Sequence, residues 1–164
     1  MVGIAESRYL MLSNFDCLKA FISEVGYPVI FKPDNVVGAS HTYKPSSDDD
    51  LRHFLIVKEP EVSYIMEEFI RAEVNSYDAI INSKGEPIFE TGNVSPISIM
   101  DIVNNDDNSV YYIVKDLHDD VRKAGRATVK SFGVRSRFVH FEFFRLTEDQ
   151  PSMGKKGDVV ALEV

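Results

Sequence analysis

Apolar residues recur at helical spacing in three parts of the chain. The first pattern, within 13–25, has Ser13 and Asp16 in capping order and Gly26 as its predicted end. The second follows Ser47, a favourable capping residue that precedes three aspartates. The third runs within 117–132 and ends at Gly133. The pattern therefore predicts three helices.

Short apolar or alternating runs between these helices predict strands. They are PVIFKP, VSYIMEEFI, EVNSYDAIIN, IFETGN and VYYIV, an extended piece in SPISIMDIVNNDDNS, and two final strands near 137–145 and 158–164. Helices alternate with strands early in the chain, whereas strands dominate later. This order favours an α+β fold over a doubly wound parallel sheet. We predict two α+β lobes, one from residues 1–72 and the other from residues 73–164.

Composition narrows the class of protein and of partner. With 164 residues and 44% hydrophobic residues, the chain is long enough for a packed core. Its net charge of −8 argues against nucleic acid or an anionic membrane as the general partner. Cys17 is the single cysteine, and no run is long and apolar enough for a membrane helix. We expect a globular cytoplasmic protein.

Two glutamates interrupt the apolar positions of the last two predicted strands. Alternation places the side chain of Glu142 on the other face of the sheet from Phe141 and Phe143. It likewise places Glu163 on the other face from Val160. If the strands pair, both carboxylates project from neighbouring strands, and hard oxygen ligands of this kind suit Mg²⁺. The same spacing also fits two solvated glutamates on the solvent-exposed face of a sheet. Spacing alone leaves both interpretations open.

Further charged and small residues flank the earlier strands. Lys32 ends a buried strand, beside a loop whose small residues, 38–40, allow backbone amides to approach a phosphate. Glu67, Glu68 and Glu73 lie at the proposed lobe junction, where small-molecule sites tend to form. Each feature also has a plain interpretation as a solvated charge or an ordinary loop.

The order of these segments resembles the ATP-grasp superfamily. The resemblance rests on EVGYPVIFKP, a small-residue loop through Ser40, YIMEEFIRAEVNSYD, HFEFF and ALEV, and it extends over nearly the whole chain. It implies an ATP-grasp fold, in which two α+β lobes with mainly antiparallel sheets enclose a nucleotide cleft. It further implies ATP and Mg²⁺ as cofactors, with a small-molecule carboxylate and an amine as substrates.

The resemblance also implies a role for particular residues. Lys32 would contact the α and β phosphates, under a flexible flap formed by Gly38, Ala39 and Ser40. Glu67 and the backbone of Glu68, Phe69 and Ile70 would form the adenine hinge, and Glu73 would accept hydrogen bonds from the ribose. Glu142 and Glu163 would be the acidic ligands of Mg²⁺. Phosphoryl transfer mainly requires positioning and charge neutralisation, which such a set supplies.

The implied activity is that of a ligase that converts a carboxylate into an acyl phosphate for attack by an amine or ammonia. Bicarbonate-using enzymes resembling biotin carboxylase or carbamoyl-phosphate synthase are an alternative, as is a nucleotide-binding regulatory module without catalysis. The loop has a single glycine, and the chain lacks the family's N-x-R segment and preceding subdomain. We therefore expect a fragment that is inactive alone and dimerises through exposed apolar surface.

Overall fold

The computed structural model describes residues 9–11, 15–34, 41–96, 108 and 110–163. The chain divides into two compact units at Phe69 and Ile70. The N-terminal unit comprises the described residues up to Phe69, and the C-terminal unit comprises those from Ile70 onward. The loop residues 38–40, the Ser13 cap and most of the extended piece predicted after Ser95 lie outside the described residues.

The N-terminal unit packs two helices on a three-stranded antiparallel sheet of order β1-β3-β2. Its elements are β1 Tyr9–Met11, α1 Phe15–Val25, β2 Val29–Pro33, α2 Asp48–Val57 and β3 Tyr64–Glu68. Alternation buries Val29 and Phe31 of β2 together with Tyr64 and Met66 of β3. These side chains form one core with residues of both helices. The opposite face of β2 and β3 carries two apolar and two charged side chains, all half-buried: Ile30, Lys32, Ile65 and Glu67.

The start of α2 shows the predicted cap. Ser47 is the N-cap, and its Oγ accepts a hydrogen bond of 3.2 Å from the backbone N–H of Asp50. We expect Ser47→Ala to lower the free energy of unfolding by about 1 kcal/mol, because this amide loses its partner. Urea unfolding measures the change. Ser23→Ala, at an exposed position within α1, is the control, and an equal loss of stability in that variant would refute the capping role.

The C-terminal unit is built on a six-stranded antiparallel sheet of order β7-β6-β4-β8-β9, with β5 also paired to β4. The strands are β4 Ala72–Ile81, β5 Pro87–Thr91, β6 Asn93–Ser95, β7 Tyr112–Ile113, β8 Arg137–Leu146 and β9 Val159–Glu163. The third helix, α3 Asp119–Ser131, packs on one face of this sheet. Its buried partners there include Tyr77, Ala79, Phe141 and Phe143, so the even-numbered residues of β4 and β8 occupy the other face.

Gly125 brings α3 close to the centre of β4. A Cβ at this position would lie 2.1 Å from Cγ of Tyr77, whose side chain is fully buried. The Tyr77 hydroxyl donates to Glu90 over 2.8 Å, and Glu90 also pairs with Arg126. Burial and the neighbouring Glu90 raise the pKa of Tyr77 above its ordinary value. Helix and sheet are thus held in one arrangement by a contact that only glycine permits.

The structure confirms the predicted α+β class and the mainly antiparallel sheets. All three predicted helices are present, each within a few residues of the expected bounds. In the part of the chain that the structure describes, no helix is long and apolar enough to cross a membrane.

Candidate functional site

The two predicted metal ligands are cross-strand partners. β8 and β9 pair antiparallel, and the register places Glu142 directly opposite Glu163. The return between these strands is fixed by backbone bonds from Leu146 N to Asp158 O and from Gly157 N to Leu146 O, of 2.9 and 2.8 Å. Directly paired residues project from the same face of a sheet. The expected placement of the two carboxylates side by side is confirmed, and we call them the acidic pair.

One detail of the predicted alternation in β9 is wrong. Phe143 pairs with Ala161 while Glu142 pairs with Glu163, so Leu162 is an extra residue in β9. Such a bulge shifts the register by one position. Val160, which pairs with Phe144, therefore lies on the same face as Glu163, and not on the opposite face as simple alternation predicts.

The acidic pair offers two carboxylates but does not form a complete metal site. The Glu142 side chain is about one-quarter exposed and Glu163 is exposed. Within the described ranges, no three Asp, Glu, His or Cys side chains converge into a group that could hold a metal ion by itself. Mg²⁺ commonly takes one or two carboxylates and completes its shell with phosphate oxygens and water. Two adjacent, partly accessible carboxylates fit that donor set.

A polar network extends from the acidic pair across β8 and β4. Ser76 is the cross-strand partner of Glu142, and Asp78 is the partner of His140. Nδ1 of His140 donates to Oδ1 of Asp78 over 2.5 Å, and the Ser76 hydroxyl donates to the other oxygen of Asp78. Nε2 of His140 lies 3.5 Å from Oε1 of Glu142. The histidine is thus oriented beside the acidic pair.

The charges of this network favour a protonated imidazole. The hydrogen bond with Asp78 raises the pKa of His140 above its ordinary value, and the negative charges of Asp78 and Glu142 act in the same direction. In the sequence, His140 alternates with Phe141 and so shares the predicted face of Glu142, where it could either help position a substrate or metal or be satisfied by neighbouring polar groups. Asp78 and Ser76 were not singled out from the sequence. A sequence signal for Ser76 and Asp78 exists, because these polar residues alternate in β4 with the buried Tyr77 and Ala79.

Lys32 and Glu67 lie together on the face of the N-terminal sheet that is opposite its core. Nζ of Lys32 is 2.8 Å from Oε2 of Glu67, with the lysine side chain 39% exposed. Lys32 pairs with Ile65, and Glu67 pairs with Ile30, so the two charges are diagonal neighbours on β2 and β3. An ammonium group has three donors, so this ion pair leaves Lys32 able to contact a second anion.

The predicted hinge residues follow β3. The side chain of Glu68 is buried on the core face, opposite Glu67, so only its backbone fits the predicted role. The Phe69 ring lies 4.1 Å from Nζ of Lys44, and Ile70 is buried in a cluster of the C-terminal unit. Glu73 is the second residue of β4 and pairs with Arg145. Its side chain lies on the sheet face opposite the acidic pair, so the structure does not bring Glu73 together with Glu142 and Glu163. Gly38, Ala39 and Ser40 lie outside the described residues.

This chain is similar to known proteins in its three-dimensional structure. No family model and no curated protein matches the sequence. The ATP-grasp ligase PsnB, solved with a minimal precursor, Mg and ADP, matches with a TM-score of 0.61 and 19% identity over 98% of this chain and 45% of that one. The D-alanine–D-alanine ligase from Bacillus anthracis matches with a TM-score of 0.61 and 19% identity, over 98% and 50% of the respective chains.

The chain has the ATP-grasp fold. A third similar structure is phosphoribosylglycinamide synthetase from Anaerococcus prevotii, with a TM-score of 0.60 and 17% identity over 98% of this chain and 38% of that one. The present chain spans between 37% and 50% of the length of these and related structures. At such identities the similarity establishes the fold, which agrees with the expectation from sequence.

Proposed function

We propose that this ATP-grasp chain is the Mg-ATP-binding portion of a ligase that activates a carboxylate as an acyl phosphate for attack by an amine or ammonia. The observation that carries the proposal is the cross-strand pairing of Glu142 with Glu163. Two like charges placed side by side repel each other, and a bound cation is the simplest compensation. The ligases of similar structure include one that was solved with Mg and ADP, which supports Mg²⁺ and ATP as the proposed ligands.

Each group of residues has a proposed task. Glu142 and Glu163 would hold Mg²⁺, which when bound would neutralise phosphate charge. Lys32 would contact the α and β phosphates, together with the backbone of Gly38, Ala39 and Ser40. The adenine would bind Glu67 and the backbone of Glu68, Phe69 and Ile70. For Glu73 to accept from the ribose, the nucleotide would have to reach the start of β4, because the Glu73 side chain lies on the sheet face opposite the acidic pair.

The proposal is tested by calorimetric titration of this chain with a non-hydrolysable ATP analogue, with and without Mg²⁺. We expect binding that is at least roughly tenfold tighter with Mg²⁺, because the metal joins the acidic pair to the phosphates. Equal affinity in both conditions would contradict the metal site.

Lys32→Met is expected to weaken binding of the analogue by roughly tenfold to a hundredfold, because one positive charge beside the phosphates is lost. Lys19→Met is a matched control, since Lys19 is also ion-paired, with Asp48, and its side chain is 37% exposed. Calorimetry measures both. An equal loss in the two variants would show that Lys32 acts through folding or general charge instead of through contact.

A further inference from the structure

Three apolar residues form one row across the C-terminal sheet. Ile80 of β4 pairs with Phe89 of β5 on one side and with Phe138 of β8 on the other. Phe89 is 56% exposed and Phe138 is 79% exposed. Directly paired residues share a face, so the three side chains form a continuous surface, which we call the apolar row.

The apolar row lies on the same face as the acidic pair. Successive rows along β4 and β8 on this face contain Ile80 with Phe138, then Asp78 with His140, then Ser76 with Glu142. Two residues along a strand advance by roughly 6.8 Å, so the apolar row is roughly 14 Å from the acidic pair. The intervening row is the Asp78–His140 pair, whose hydrogen bond fixes its polar groups.

The exposure of this row differs from the scattered exposure of single apolar residues. The odd-numbered face of the same strands is covered by α3, which buries Tyr77, Ala79 and Phe141. Large aromatic groups left in contact with water cost free energy that a ligand can recover on binding. Grouped exposed apolar residues commonly mark binding surfaces, whereas isolated ones need no explanation.

We propose that the apolar row binds an aryl or long alkyl group of the carboxylate substrate, whose acid end reaches toward the acidic pair. This inference rests on the proposed function and specifies its substrate class. The row spacing selects acids whose apolar group lies roughly 10 Å from the carboxylate, because the metal and phosphate occupy the remaining distance. The row thus acts as a specificity surface for the reaction.

The test compares two acids, 6-phenylhexanoate and hexanoate, by ligand-observed NMR titration. The protein is first saturated with the non-hydrolysable ATP analogue and Mg²⁺. We expect the phenyl acid to bind roughly tenfold or more tightly than hexanoate, as burial of an aromatic ring implies. Phe138→Ser and Phe89→Ser should each reduce the ratio of the two acids' affinities severalfold, while leaving the affinity for the ATP analogue unchanged.

Phe15→Ser supplies a matched control, because Phe15 is 40% exposed at the start of α1, in the N-terminal unit, and lies outside the apolar row. It should leave the ratio intact. A ratio near one, or a ratio that survives both row variants, overturns the inference while leaving the proposed function standing. Failure of the analogue to bind at all overturns the proposed function and the inference with it.

Sedimentation of the same proteins tests the competing occupant, a second copy of this chain. The sequence alone predicts a dimer formed through exposed apolar surface, whereas the substrate assignment requires an accessible apolar row and therefore a monomer at the concentrations of the titration. A dimer that Phe138→Ser dissociates would show that the apolar row is a subunit interface, and would overturn the substrate assignment.

Discussion

Glu142→Gln is expected to remove most of the magnesium dependence of nucleotide binding. The amide retains the shape of the side chain and one carbonyl oxygen, but it loses the negative charge that attracts a divalent cation. We expect the affinity for the ATP analogue in Mg²⁺ to fall by roughly tenfold or more, which is most of the gain that Mg²⁺ confers on the unsubstituted chain. Affinity without Mg²⁺ should stay the same or improve, because a carboxylate repels phosphate. Calorimetry with and without the metal gives both numbers.

Glu163→Gln should have the same effect, and the double variant should be little worse than either single variant. Residues that act through one bound ion are not additive. Glu86→Gln, in the turn between β4 and β5, is the control, because Glu86 bonds only locally to Asn82. If both variants of the acidic pair kept the full magnesium effect, Glu142 and Glu163 would be solvated acids on an exposed sheet face.

Alternation along single strands was enough to predict the acidic pair. Glu142 and Glu163 each interrupt an apolar run, and short strands joined by a return loop pair antiparallel in most folds. The bulge at Leu162 could not be predicted in this way, because it depends on how two strands match in length and twist. It changes which apolar residues of β9 accompany Glu163 without separating the two acids.

The ion pair of Lys32 with Glu67 required knowledge of register. The two residues are far apart in the chain, and a shift of one residue between β2 and β3 would have placed them on opposite faces. Sequence reasoning gave each a separate ligand role and missed their mutual contact. The same limit explains why the apolar row was not predicted, since Phe89, Ile80 and Phe138 meet only through two strand pairings.

The polar network of the candidate site depends on the position of β4. Ser76 and Asp78 flank Tyr77, so any shift of that buried ring against α3 also moves the two polar side chains on the opposite face. Core packing on one face of the sheet therefore determines geometry on the other. Gly125 is the point at which this coupling can be tested.

Gly125→Ala is expected to destabilise the C-terminal unit strongly. The new Cβ would overlap the Tyr77 ring, which cannot move freely because it stacks on Phe141 at 6.2 Å and its hydroxyl is bonded to Glu90. The intrinsic helix preference of alanine over glycine favours the variant by up to about 1 kcal/mol, but overpacking against a fixed ring outweighs it. We expect a net loss of about 2–3 kcal/mol in the free energy of unfolding, measured with urea.

A double-mutant cycle identifies the cause. In a Tyr77→Leu background the ring is gone, so Gly125→Ala should cost much less or even stabilise the helix. Ser131→Ala, at the exposed end of α3, is the control and should change stability by at most about 0.5 kcal/mol. An equal cost of Gly125→Ala in both backgrounds would contradict the steric explanation. If the steric explanation holds, the variant should also lower the affinity for Mg-nucleotide before global unfolding, because β4 carries Ser76 and Asp78 beside the acidic pair.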